Sequence, residues 1–152
     1  MENNLRILRI TESDLNDWLT LALLLWPNQS PEQMETELTN ILRSHKEEGF
    51  LIKDDAGEAI AFINLSLRYD HVPGATKSPV TYIEGIYVKE AFRKQGIASR
   101  LIHRAEKWAH DHQCTELASD ALIENIGSQN FHKAAGFKEV ERAVTYIKQI
   151  SN

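Results

Sequence analysis

The chain has 152 residues, a formal net charge of −5, and 42% hydrophobic and 26% charged residues, which fits one globular domain with a real core over residues 1–152. The acidic balance argues against nucleic acid as the main partner and leaves room for a cationic one. A single cysteine, Cys114, excludes an intramolecular disulfide and a cysteine-based zinc site. No apolar run reaches the length of a membrane span or signal-peptide core, so a cytoplasmic protein without a membrane partner is expected.

Residues 5–10 alternate apolar and charged side chains (Leu5, Ile7 against Arg6, Arg9), predicting a first strand. Thr11 and Asp14 form a capping signal, followed by a helix to about Trp26 with Leu15, Trp18, Leu19, Ala22 and Leu25 on its apolar face. Pro27 stops it. Ser30, Pro31 and Gln33 make a stronger start signal, a cap with proline at the first helical position. Met34, Leu38, Ile41 and Leu42 then predict a second amphipathic helix ending near His45. Residues 49–53 and 58–69 read as two strands around the turn Asp54, Asp55, Ala56, Gly57.

A loop rich in turn residues follows over 70–79. Residues 80–88 predict a strand with Val80, Tyr82, Glu84, Ile86 and Val88 on one face. Arg93, Lys94 and Gly96 then form a basic turn into a helix that carries Ile97, Leu101, Ile102, Ala105, Trp108 and Ala109 at helical spacing to about His112. A glycine-bearing turn at a helix N-terminus offers free backbone N–H groups and a positive dipole end, a site for phosphate. Residues 115–119 read as a short strand ending at Asp120, and 125–135 as a helix closed by Gly136. Residues 137–147 read as the last strand. The order β-α-α-β-β-β-α-β-α-β is α/β with a mixed sheet.

Arg93, Gly96 and Ala98 between strand and helix, the Asn125 helix, and Gly136–Phe137 together resemble the GCN5-related N-acetyltransferases (GNAT), and imply that fold. Within that superfamily the chain is similar to aminoglycoside 6′-N-acetyltransferases of type I. The residues that carry this are Leu25–Trp26–Pro27, Leu67–Arg68–Tyr69, Val72, Gly74, Ser78–Pro79, the run 84–88, Ala118–Ser119–Asp120 and Gly136–Phe137. The resemblance implies acetyl transfer from acetyl-CoA to an aminoglycoside 6′-amine, antibiotic resistance, and a homodimer. It implies that the turn Arg93, Lys94, Gln95, Gly96, Ile97, Ala98 cradles the pyrophosphate. It also implies that Ile86, Tyr87 and Val88 pair with the pantetheine arm, with Asn125 reaching the cofactor from the other side; taken singly, Asn125 reads first as a helix cap.

Glutamate is depleted in strands, so Glu84 reads either as a solvated or ion-paired residue or as part of the substrate site. A protonated amine must lose a proton before it attacks, and a nearby carboxylate can hold and relay it. Asp120 stands at a strand's C-terminal end, where open α/β sheets place their sites, or serves as a cap. The two acids rank equally as the base. By resemblance Trp26 and His71 line the substrate cleft, and Glu141 contacts substrate across a dimer interface; core packing for Trp26 and a solvated face for Glu141 are the plain alternatives.

Two departures from the family pattern stand out. His132 occupies the position where many relatives carry a tyrosine that protonates the leaving thiolate. The loop around Thr76–Lys77 lacks an acid expected to meet the substrate, which opens the choice of amine to a polyamine, a metabolite or a peptide N-terminus. A non-catalytic CoA-binding module is the remaining alternative, and the presence of both Glu84 and Asp120 counts against it. His110, Asp111, His112 and Cys114 are not read as a metal site, because residues two apart on a helix do not face each other.

Overall fold

The computed structural model describes residues 5–151. The chain divides into two compact units, one up to Asp120 and one from Ala121 onward. In the first, strands β1 (Arg6–Arg9), β2 (Glu47–Lys53), β3 (Ala59–Arg68), β4 (Val80–Val88) and β5 (Leu117–Ala118) form one sheet in that order. The pairs are antiparallel except β4 with β5, which is parallel. Helices α1 (Leu15–Leu25), α2 (Pro31–Arg43) and α3 (Ile97–Asp111) complete the unit.

The local signals work as expected. Ser30 Oγ accepts from the Gln33 amide at 3.1 Å with Pro31 in the first turn, and the Asp54 carboxylate accepts from the Ala56 and Glu58 amides to close the β2–β3 turn. All six residues expected on the apolar face of α3 are buried. Helices α1 and α2 pack with Leu51, Phe62 and Tyr87 in one core, which includes Trp18, Leu21, Met34 and Leu38. Helix α3 packs on β3 and β4, with the Arg104 guanidinium 4.3 Å from the Phe50 ring centroid.

Strand β4 breaks the simple alternation. Asn64 pairs with Gly85 and Leu65 with Ile83, so Glu84 is an extra residue with no partner on β3, a β-bulge. Ile86 stands opposite Ile63, but Tyr82 stands opposite Ser66. Residues 63 and 66 point to opposite faces of β3. The expectation that Val80, Tyr82, Glu84, Ile86 and Val88 share a face is therefore corrected: Tyr82 and Glu84 lie on the α1–α2 face, Ile86 and Val88 on the other. Buried Asn64 also accepts from the Trp18 indole at 3.0 Å, which fixes β3 at the bulge.

The second unit holds α4 (Ile126–Ala134), capped by the Asn125 side chain accepting from the Ser128 amide at 3.0 Å and closed at Gly136 with φ of +95°. The strand expected over residues 137–147 is not formed; described residues from 137 on carry no regular element. Within its own unit the segment has no ladder partner. This unit contains no described strand to pair with, and Val144, Tyr146 and Ile147 stand 76, 91 and 90% exposed.

Candidate active site

The turn after β4 is built for an anion. Lys94 and Gly96 take positive φ, +62° and +78°, which turns the chain sharply into α3. No side chain caps the helix N-terminus, so its first amide donors remain available. Nothing lies within 4 Å of where a Gly96 Cβ would stand; glycine is required there for its φ, and the space beside it is open. Arg93 Nε donates to the Val88 carbonyl at 2.9 Å, which ties the turn back to the strand, while Lys94 is exposed.

The strand edge leading to this turn is free for part of its length. Strand β5 pairs with β4 only at Thr81 and Tyr82, so among the described residues Gly85 to Val88 have a ladder on the β3 side alone. Such an edge can receive an extended ligand through main-chain hydrogen bonds. Turn and edge thus fit the two parts of a nucleotide-linked thioester, an anionic end and an extended arm. Gly96→Ala is expected to leave the fold intact and raise KM for acetyl-CoA roughly 5- to 30-fold, because a left-handed conformation costs a Cβ-bearing residue about 1–2 kcal/mol; steady-state kinetics with the donor varied checks this.

Beside the bulge stands a charged cluster. The Glu84 carboxylate accepts from Ser66 Oγ at 2.5 Å, Arg68 Nε at 2.9 Å and Arg68 Nη2 at 2.6 Å. The Arg68 guanidinium lies 3.4 Å from the centroid of the Tyr82 ring, and the Tyr82 hydroxyl donates to Asp120 Oδ2 at 2.5 Å. Glu84 and Asp120, 36 residues apart in sequence, are thereby joined through Arg68 and Tyr82. Burial first, and the bond to Asp120 second, push the Tyr82 pKa well up, so its hydroxyl stays a donor. The bond to Glu84 raises the Arg68 pKa against the opposing effect of burial. Trp26 lies on the same ground: a Cβ at Gly85 would fall 2.5 and 2.7 Å from atoms of its indole.

The 70–79 loop closes this side. His71 is exposed on it and Val72 is buried with Val80 and Tyr82. Glu116 Oε1 accepts from the Thr76 and Lys77 amides at 2.9 and 3.1 Å, and the Thr76 bond, chiefly, holds its pKa below the usual carboxylate value. An acid therefore does meet the loop at Thr76–Lys77, supplied from forty residues downstream and bonded to the backbone.

The acetyltransferase (GNAT) family model matches residues 15–137. The chain belongs to the GNAT acetyltransferase family. It is 44% identical over 137 residues to the aminoglycoside N(6′)-acetyltransferase type 1 of Serratia marcescens, covering 90% of this chain and 94% of that one. To the protein of the same name from Acinetobacter baumannii it is 40% identical over 146 residues, covering 96 and 99%. Among solved structures, AAC(6′)-Iy in complex with the bisubstrate analogue CoA-S-monomethyl-acetylneamine superposes with a TM-score of 0.92 at 35% identity, covering 97% of this chain and 99% of that one.

For this GNAT chain, the structure brings Trp26, Glu84 and Asp120 into one unit with the turn 93–98 and the edge 86–88. Asn125, His132 and Glu141 belong to the second unit. Asn125 caps α4, and Glu141 is exposed. His132 Nδ1 donates to the Ser128 carbonyl at 2.7 Å, with its ring between Phe131 and Phe137 at 5.6 and 5.2 Å, so it is an ordered group. His112 Nδ1 donates to the Trp108 carbonyl at 2.8 Å, and the described residues hold no group of three or more His, Cys, Asp or Glu arranged for a metal. No helix of the described residues is long and apolar enough to cross a membrane. Sequence reasoning assigned no role to Ser66, Arg68 or Tyr82. Pairing the strand 58–69 with the strand 80–88 would have placed all three beside Glu84.

Proposed function

We propose that the chain transfers the acetyl group of acetyl-CoA to the 6′-amine of aminoglycoside antibiotics, conferring resistance, by direct attack in a ternary complex. The observation that carries this reading is the Glu84–Arg68–Tyr82–Asp120 cluster, set beside an open strand edge that runs into an uncapped, basic helix N-terminus. Relatives bearing the 6′-acetyltransferase name over nearly the whole chain support the same substrate, and so does the neighbour solved with CoA joined to an acetylated neamine.

In this reading the amides of 95–98, with Arg93 and Lys94, hold the pyrophosphate, and the backbone of Ile86, Tyr87 and Val88 aligns the arm and stabilises charge developing on the thioester oxygen. Glu84 has most of its acceptor sites filled, so it acts as a fixed negative charge for the incoming ammonium. Asp120 has one oxygen held by Tyr82 and no hydrogen-bond donor on the other among the described residues, which suits it to accept the proton. The ammonium gives a proton to Asp120, and the neutral amine attacks to form the N–C bond. The nitrogen releases its second proton to solvent as the C–S bond breaks, and the thiolate takes a proton from water or from His132, the group at the family's tyrosine position. Trp26 and His71 flank the amine, and the family resemblance assigns Asn125 to the donor; the family match spans both units, which supports one N-acetyltransferase domain.

The apolar residues Val144, Tyr146, Ile147 and Ile150, all at least 76% exposed, favour burial against a second copy, with Glu141 supplied to the neighbouring site. Sedimentation of the full chain is expected to give a dimer, and a monomer at micromolar concentration refutes it. The free, buried Cys114 and the acetyl-CoA donor fit a cytoplasmic location. A thiol-release assay against antibiotics with and without a 6′-amine tests the activity: turnover is expected only with the former. The occupied Glu116 keeps a second substrate class open, so polyamines and peptides belong in the same panel, and equal or better turnover of these overturns the antibiotic assignment.

A further inference from the structure

We infer that Arg68 is a positioning residue that holds the two acids of the site at a combined charge of −1 and fixes each in its role, an inference that rests on the proposed transfer to a cationic amine. The geometry is specific. One face of the guanidinium stacks on Tyr82 at 3.4 Å, and its edge forks onto both oxygens of Glu84. Tyr82 in turn holds Asp120. A single cation therefore orients one carboxylate directly and braces the phenol that orients the other.

The charge matters as much as the geometry. An aminoglycoside arrives as a polycation, and each uncompensated carboxylate near its ammonium favours the protonated form. Tight binding of that form works against attack, since interactions stronger in the ground state than in the transition state do not accelerate the reaction. Arg68 sets one positive charge against these two carboxylates and so weakens that hold. Lysine would supply the charge without the fork or the planar stack.

The other charged and titratable groups bearing on Arg68 can be named. On β4 these are Glu84 and Tyr82, and beyond β5 Asp120. On β2, Glu47 stands opposite Ser66, and preceding it Lys46 Nζ lies 4.9 Å from the Tyr69 ring centroid. Of these only Glu84 makes an ion pair with Arg68 within 4 Å among the described residues. Glu84 is therefore the group whose charge Arg68 offsets most directly, without cancelling it.

The test is the pH dependence of kcat and KM for the full chain, with Arg68→Gln, Arg68→Lys and Tyr82→Phe, using an aminoglycoside that carries a 6′-amine, and with thermal melting as a check of folding. For Arg68→Gln, KM for the antibiotic is expected to fall about two- to fivefold, kcat to fall roughly 10- to 100-fold, and the acidic limb of kcat to move to higher pH, as an extra negative charge requires. Arg68→Lys restores KM and the limb while kcat stays low. Tyr82→Phe keeps the stacking ring and lowers kcat with KM unchanged. A raised KM with unchanged kcat and pH profile in Arg68→Gln overturns the inference, as does full recovery of kcat in Arg68→Lys or unaltered kinetics in all three variants. A wild type that acetylates no aminoglycoside refutes the proposed function and the inference with it. A wild type that does so while the variants depart from this pattern refutes the inference alone.

Discussion

Asp120→Asn is expected to lower kcat about 10²- to 10⁴-fold, the usual contribution of a positioned proton acceptor, with KM for acetyl-CoA unchanged. Asparagine keeps an oxygen for the Tyr82 hydroxyl and nearly the same volume, so the loss isolates proton transfer. Glu84→Gln has a different signature. It leaves Arg68 without its ion-pair partner and places an uncompensated cation where the substrate's ammonium must approach. KM for the aminoglycoside is therefore expected to rise more than kcat falls. Steady-state kinetics of both variants checks the assignment: if Glu84→Gln loses kcat and Asp120→Asn loses only substrate affinity, the two roles are exchanged.

That assignment depends on contacts that no single stretch of sequence displays. The helices were legible because their signals are local: the Ser30–Pro31–Gln33 start, the spacing of Ile97 to Ala109, and Gly136 as a stop. The turn at Gly96 was legible for the same reason, since its function follows from one residue's φ and the helix after it. The face of β4 was not, because a bulge is set by the partner strand; residues 80–88 alternate in sequence as though β4 were straight, yet Asn64 and Leu65 pair across Glu84. The ranking of Glu84 and Asp120 stayed open for want of Arg68 and Tyr82, which reach them from β3 and β4. Glu116 escaped notice because its carboxylate serves backbone amides forty residues earlier. The last strand failed in the opposite way: its apolar pattern is present in the sequence, but its own unit holds no described strand for it to pair with.

Gly85→Ala is expected to weaken both stability and antibiotic binding, since β4 passes directly under the Trp26 indole. An added Cβ would sit 2.5 and 2.7 Å from two ring atoms and 3.2 Å from a Leu25 methyl group, so the indole must move. The ring also packs near Phe62, with centroids 6.1 Å apart, and belongs to the partly buried rim of the α1–α2 core. Overpacking of this kind costs about 1–3 kcal/mol, measurable by denaturant unfolding. The displaced indole also loses its place over Gly85, next in the chain to Glu84, and an aromatic contact to a cation contributes about 0.5–2 kcal/mol, so KM for the aminoglycoside should rise roughly 2- to 30-fold while KM for acetyl-CoA holds. The two losses separate in a double variant. Gly85→Ala with Trp26→Phe removes the clash, because the smaller ring leaves room for the methyl group, and stability should recover; the shorter reach of phenylalanine should leave KM raised. Recovery of both would show that Trp26 serves the core alone, and recovery of neither would mean that Gly85 is needed for the bulge itself.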